Sequence, residues 1–119
     1  AHFNSFEKKV LPVALQQGIA VLGMKSMGDK IILDSKAVTP VECLHYAMSL
    51  PVSVVITGID SLPILDQAVN AAKTFQPLSA SQVSALLART ATVAQNGRFE
   101  LYKTSDHFDT TVKKPQYLG

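Results

Sequence analysis

The sequence predicts an α/β fold in which helices alternate with parallel β-strands. Two segments, 19–24 and 52–57, are apolar at almost every position, a pattern typical of strands covered by helices on both faces. A helical pattern lies between them, which favours a parallel pairing with a right-handed crossover. Two such strands need neighbours on both edges, so the sequence predicts part of a larger fold.

The first element is a helix predicted over 5–17. Asn4 and Glu7 have the spacing of a capping box, and Gly18 stands where the helix would end. Pro12 predicts a kink or a restart within this stretch. One helical face collects the apolar side chains, which are Phe6, Val10, Leu11, Ala14 and Leu15.

A polar loop is predicted over 25–38, between the first strand and the next helix. Its segment 31–33 could form a short helix or a short strand. Thr39 as N-cap, Pro40 at the first helical position and Glu42 at the third predict a helix over 40–50. Pro51 ends that helix, and the second strand follows.

Two further helices follow the second strand. Gly58 ends that strand, and Asp60 or Ser61 would cap a helix over 61–74. Ser79 and Gln82 form another capping box, which predicts a helix over 80–95. Residues 98–119 have no clear period, so the chain is expected to form one partial domain, 1–119, with βα units and a helix over 1–97 and a tail over 98–119.

Composition excludes several classes of protein. Of the 119 residues 47% are hydrophobic and 17% are charged, as in soluble globular proteins. No apolar run approaches the ~20 residues of a membrane helix, and a net charge of +2 without a basic cluster argues against nucleic-acid binding. A single cysteine, Cys43, fits a reducing compartment, so a cytoplasmic protein is expected. The histidines are too scattered to predict a metal site; they are His2, His45 and His107.

Several segments, in order and with matching gaps, resemble bacterial aldo/keto reductases. They are Val21–Gly28, Thr39–Ala47, Pro51–Ser61, and in the tail Glu100–Thr104, Phe108–Thr111 and Pro115–Gly119. The resemblance spans the whole chain and implies the C-terminal part of a (β/α)8 TIM barrel. Strands seven and eight would be 19–24 and 52–57, helices six to eight would be 5–17, 40–50 and 61–74, and 80–95 would be the extra C-terminal helix.

The resemblance also implies an activity, the reduction of aldehydes or ketones by NADPH or NADH. The catalytic Asp, Tyr, Lys and His of the family fall before this segment, so no catalytic residue is expected here, and Tyr46 is expected to pack within its helix. The implied partners are a nicotinamide dinucleotide, a small carbonyl substrate, and either the missing N-terminal half of the barrel or a second copy. The alternatives are a non-catalytic, nucleotide-binding regulatory subunit and an inactive truncated product.

The resemblance places cofactor-binding residues in the loop after the first strand. Met24 stands where relatives often carry an aromatic residue that stacks on the nicotinamide, and Lys25 follows it. Ser26, Met27 and Gly28 match positions on the pyrophosphate side of the cofactor. From the residues alone, Met24 and Met27 would be packing residues and Lys25 a solvated loop lysine.

The loop after the second strand carries the other expected cofactor residues, Gly58, Asp60 and Ser61, with Gln67 facing the adenine. Many NADP-using relatives have Lys in place of Gly58 and Arg in place of Ile64. With both cations missing and Asp60 expected to repel a 2′-phosphate, the sequence favours NAD or dual use. From the residues alone, Gly58 with Asp60 and Ser61 is also an ordinary turn leading to a helix N-cap.

Overall fold

A computed structural model describes residues 2–105 and 113–118 of the chain. Phe108–Thr111, His107 and Gly119, which entered the sequence argument, lie outside the described residues. The described elements, in chain order, are α1 (Phe6–Lys9), α2 (Leu11–Gln16), β1 (Leu22–Gly23), α3 (Ile31–Asp34), α4 (Pro40–Met48), β2 (Val54–Val55), α5 (Leu62–Lys73), α6 (Ala80–Thr90), α7 (Leu101–Thr104) and a 3-10 helical turn (Pro115–Leu118).

The first predicted helix is two short helices, α1 and α2, separated at Val10. The predicted restart is confirmed: Pro12 occupies the second position of α2, where its missing N–H costs nothing. The expected cap at Asn4 is wrong, because Ser5 is the N-cap and its Oγ accepts from the Lys8 amide at 3.3 Å. Gly18 ends α2 at φ +67°, as expected of a residue in the left-handed region.

The two strands pair in parallel, as predicted, with Leu22 opposite Val54 and Gly23 opposite Val55. Both are shorter than the predicted 19–24 and 52–57. Two more backbone bonds extend the ladder by one step at each end, from the Ser53 amide to the Val21 carbonyl and from the Ile56 amide to the Gly23 carbonyl, each 2.8 Å long. The connection between the strands contains α3, which settles the ambiguous 31–33 segment as helical, and α4.

The apolar pattern is typical of strands covered on both faces in a larger fold, and the described chain leaves one face of the strands exposed. Leu22 is 57% exposed, Val54 50% and Ile56 42%, whereas the adjacent Gly23 and Val55 are partly covered. Helix α4 packs against β2, and no described element covers the face that carries Leu22 and Val54. This open sheet face is apolar and exposed to solvent.

Helix α4 packs against α5 at the centre of the described chain. The predicted capping box at its start is confirmed, with the Glu42 amide donating to Thr39 Oγ1 at 3.2 Å and the Thr39 amide donating to Glu42 Oε2 at 2.8 Å. Leu44 of α4 and Ala71 of α5 are buried between the two helices. His45 Nε2 lies 2.9 Å from the Ala71 carbonyl oxygen, which fixes the distance between the helices.

Helix α6 begins at the predicted capping box of Ser79 and Gln82, which is confirmed. It ends at Thr90, earlier than the predicted residue 95. The Thr90 hydroxyl donates to the carbonyl oxygens of Leu86 and Leu87, and such back-bonding competes with the helical ladder. Turns follow up to Gly97, whose φ is +71°.

The segment after Gly97 is held against the beginning of the chain by Lys103. Its ammonium donates to Glu100 Oε1 at 2.6 Å and to the Phe3 carbonyl oxygen at 3.0 Å. The Lys103 side chain is only 6% exposed, and the Tyr102 hydroxyl also donates to Glu100. A largely buried charge is satisfied in this way by a carboxylate and a backbone carbonyl.

Candidate functional site

The loops after β1 and β2 lie at the same edge of the sheet, because the carboxyl ends of parallel strands point the same way. They surround a half-open cavity of about 690 Å³ that continues to the first turns of α5. Its lining consists of Met24, Lys25, Ser26, Met27, Asp29, Lys30, Leu33, Pro40, Ile56, Thr57, Gly58, Ile59, Asp60, Ile64 and Gln67. Met24 and Ile56 belong to the rim where this cavity meets the open sheet face.

Seven of the nine cofactor residues expected from the resemblance line this one cavity. They are Met24, Lys25, Ser26, Met27, Gly58, Asp60 and Gln67. The two others, Gly28 and Ser61, do not line it. The first loop and the second are separated by about 30 positions in the sequence, so their meeting follows from the βαβ topology and not from proximity along the chain.

The first loop turns sharply, and four of its residues have positive φ: Lys25 (59°), Gly28 (54°), Asp29 (57°) and Lys30 (74°). Three of these four carry a Cβ, for which the left-handed region is costly. Lys25 Nζ lies 2.5 Å from Asp29 Oδ2, an ion pair that closes the loop on itself. The turn places both lysines in the lining of the cavity.

Gly28 supports this loop from behind instead of facing the cavity. It is buried, and a Cβ at this position would lie 2.8 Å from the Phe99 carbonyl oxygen and 3.0 Å from Ile32 Cγ1. Only glycine satisfies both the positive φ and this close approach. Gly28 therefore has a packing role in this structure, and the contact with a pyrophosphate that the resemblance implies stays a prediction.

The second loop, after β2, leaves free space beside its backbone, whereas the first loop packs closely at Gly28. A Cβ added at Gly58 would have no atom within 4 Å, so this position has room for a side chain. Ser61 is the N-cap of α5, but its side chain makes no capping hydrogen bond to the helix. The first backbone N–H groups of α5 therefore remain without a side-chain cap beside the cavity.

Lys30 joins the two loops across the mouth of the cavity. Its ammonium lies 2.5 Å from Asp60 Oδ2, and this hydrogen bond and charge lower the pKa of Asp60. The expectation that Asp60 would repel an anion ignored this partner. Lys30 was missed because a loop lysine has no distinguishing signal in the sequence, and its partner is 30 positions away.

The charges in the lining balance, because Lys25 and Lys30 offset Asp29 and Asp60. The rest of the lining is mainly apolar and includes Leu33, Ile56, Ile59 and Ile64. Such a cavity can bind a molecule that has both a flat apolar part and anionic groups, the lysines turning from their aspartates to the anion. No Tyr, His or Cys is among the described residues that line it, so the described lining offers no phenol, imidazole or thiol for proton transfer.

Tyr46 and Cys43 lie on α4, away from this cavity. The Tyr46 hydroxyl donates to Glu7 Oε2 at 2.8 Å. Burial, and then the hydrogen bond to Glu7, raise the pKa of Tyr46 well above its usual value, which agrees with its expected packing role. Burial, and then the charge of Glu42, raise the pKa of the Cys43 thiol to about 11.

Among the described residues, no helix is both long enough and apolar enough to cross a membrane. Within residues 2–105 and 113–118, no three His, Cys, Asp or Glu side chains come together in a group that could hold a metal ion. The residues that surround the large cavity are thus the main chemical feature of this part of the chain. The comparisons with protein-family models, with curated proteins and with solved structures give no match to this chain.

Proposed function

We propose that this chain is the C-terminal part of an NAD(P)-dependent aldo/keto reductase barrel and that its large cavity binds part of the nicotinamide dinucleotide. The observation that carries the proposal is the convergence of seven residues, expected from the resemblance, on one cavity at the carboxyl ends of two parallel strands. In barrels and in open α/β sheets, ligands bind at this edge.

The size and chemistry of the cavity support a dinucleotide. Its volume of about 690 Å³ lies within the ~300–1,000 Å³ of ordinary ligand sites. Met24 is 62% exposed and offers a polarizable thioether surface for the nicotinamide. Lys25, Lys30 and the uncapped N-terminus of α5 offer positive charge and N–H donors for the phosphates.

In this proposal the chain binds and orients the cofactor but performs no proton transfer. The bound cofactor supplies a hydride to the carbonyl carbon of a small aldehyde or ketone. The residues of the first loop hold the nicotinamide end, and Gly58, Asp60 and Gln67 hold the adenosine end. The proton donor belongs to the remaining strands of the barrel, and the single cysteine is in keeping with a cytoplasmic protein.

The same proposal assigns a partner to the open sheet face. A barrel strand pairs on both edges, and its inner side packs against other strands. The exposed Leu22, Val54 and Ile56 are the side chains that the missing N-terminal half of the barrel would cover. Without that half, a second copy of the chain is the available cover.

The binding test uses the intact protein that contains this chain and measures its affinity for NADH and NADPH by isothermal titration calorimetry. Gly58→Trp fills open space in the cavity mouth and should weaken binding of both cofactors at least tenfold. The control is Ala88→Trp, on the exposed side of α6 and outside the lining, which should bind normally. Equal affinities for Gly58→Trp and the unmodified protein contradict the proposal.

The activity test separates this proposal from a regulatory subunit. We expect the 119 residues alone to show no reduction of simple aldehydes by NADPH or NADH, because no residue of the chain matches the catalytic group of the family. We expect the intact protein to turn over. Turnover by the 119 residues above a buffer blank contradicts the assignment, and cofactor binding without turnover in the intact protein supports the regulatory alternative.

A further inference from the structure

A second, smaller cavity lies between α4, α6 and the turns after α6. Its volume is about 160 Å³. Only Ser26 is shared with the lining of the larger cavity. The apolar side chains that line it come from three segments: Ile32 and Val38; Leu86 and Leu87; Val93, Ala94 and Phe99.

Three of the four hydroxyl-bearing residues in the lining, Ser35, Tyr46 and Thr90, donate to groups of the protein. The Ser35 hydroxyl donates to the Ile32 carbonyl at 2.6 Å, the Thr90 hydroxyl to the Leu86 carbonyl at 2.9 Å, and the Tyr46 hydroxyl to Glu7 at 2.8 Å. Glu100, the charged member of the lining, accepts from Lys103 and Tyr102. No buried side-chain nitrogen or oxygen among the described residues lacks a partner.

These pairings decide the kind of occupant. A charged or strongly polar molecule would lose hydration that this lining, with most of its polar side chains already paired, does not replace. An apolar molecule would leave the existing hydrogen bonds intact and gain contacts with seven apolar side chains. The volume sets the size, because about 160 Å³ is close to the ~150 Å³ of an apolar cavity that accepts benzene.

From this geometry we propose that the smaller cavity is a binding site for one small, uncharged, apolar molecule of the size of a single aromatic ring. Apart from the shared Ser26, the site has its own lining, and the proposal does not depend on the nicotinamide dinucleotide proposed for the larger cavity. Its ligands are monocyclic aromatic or short aliphatic compounds. Charged relatives of these compounds, such as benzoate, are excluded.

Cys43 gives a direct readout of occupancy. It lines the cavity, and it is the single cysteine of the sequence. An occupant beside the thiol blocks the approach of an alkylating reagent. The rate of alkylation therefore reports on this cavity whatever the state of association of the chain.

The experiment measures alkylation of the 119-residue chain by N-ethylmaleimide at pH 9 while benzene is titrated. We expect benzene to slow alkylation at least fivefold, with a saturable dependence that fits one site per chain, and benzoate to have no effect. A rate that benzene leaves unchanged, or that falls linearly without saturation, overturns the proposal.

Two variants locate the effect in the cavity. Ala94→Phe places a ring inside the lining and should abolish the benzene dependence, whereas Ala88→Phe on the exposed side of α6 should retain it in full. Protection by benzene that persists in Ala94→Phe overturns the proposal. If circular dichroism shows that Ala94→Phe does not fold, Leu86→Ala takes its place. Its enlarged cavity should admit naphthalene, which should then slow the alkylation of Cys43. Equal effects of naphthalene on Leu86→Ala and on the unmodified chain overturn the proposal.

Discussion

The open sheet face predicts that the isolated chain self-associates, and Leu22→Lys tests this. Leu22 is 57% exposed and lies beside Val54 in the parallel register. Full burial of a leucine side chain is worth ~1.5–3 kcal/mol, so covering the exposed part of Leu22 is worth roughly 1–1.5 kcal/mol. In a symmetric pair both copies lose this burial energy, about 2–3 kcal/mol in total, which corresponds to a dissociation constant raised about 30- to 150-fold.

Sedimentation equilibrium of the 119-residue chain over a range of concentrations measures this constant. The matched control is Val13→Lys, which adds the same charge at a 51% exposed position of α2, away from the strands. We expect Val13→Lys to associate as the unmodified chain does. Two results would refute the reasoning: an unmodified chain that is monodisperse near 12.8 kDa with a cooperative melt, or a Leu22→Lys constant equal to that of the control.

Three further predictions concern single positions. In the intact protein, Gly58→Lys should shift the cofactor preference toward NADP, because one partly desolvated charge-assisted contact with the 2′-phosphate is worth ~1.5–3 kcal/mol. The ratio of the Michaelis constants for NADP and NAD measures this preference. A ratio equal to that of Gly58→Met would contradict the prediction. Gly28→Ala should lower the free energy of unfolding by about 2–3 kcal/mol in urea titrations, because it combines a φ of +54° with a 2.8 Å approach to the Phe99 carbonyl oxygen; a loss no larger than that of Gly58→Ala, which has open space, would contradict it. The rate of Cys43 alkylation should rise with pH to a midpoint near 11, the pKa of the buried thiol. The folded state favours the protonated thiol, so Cys43 stabilises the fold fully below the unfolded pKa of ~8.5. This stabilisation is lost as the pH rises toward 11. A midpoint near 9, or a stability profile between pH 8.5 and 11 that Cys43→Ala leaves unchanged, would argue against this burial.

Helix starts were predictable where the signal is local. The capping boxes of Thr39 with Glu42 and of Ser79 with Gln82 depend on side chains three positions apart, and both form as expected. At the first helix the same reasoning chose Asn4 over its neighbour Ser5, because both residue types cap helices. The end of α6 at Thr90 was not predictable in this way, because the apolar pattern continues to Ala94 and no Gly or Pro stands at the point where the helix ends.

The strands and the cavity depend on longer-range relations. An apolar run predicts that a segment will be buried, but it does not tell whether the same chain supplies the residues that bury it. For Leu22 and Val54 the described residues do not supply them. The resemblance indicated two loops, and parallel pairing explains why they meet. The pairing of Lys30 with Asp60 could not be predicted from the sequence. It depends on the path of residues 25–30, which the positive φ values of this loop determine.

The bond from Lys103 to the Phe3 carbonyl joins positions 100 residues apart and couples the segment after Gly97 to the beginning of the chain. A protease that cuts between residues 98 and 105 would therefore also loosen the residues before α1, where the Phe3 carbonyl accepts from Lys103 and the Phe3 ring lies close to Gly97. In the same way, trimming the first residues would expose the Lys103 ammonium and loosen the segment that closes one side of the smaller cavity. Fraying of either segment should accordingly appear in both in hydrogen exchange, with amides of the residues before α1 and of α7 losing protection together.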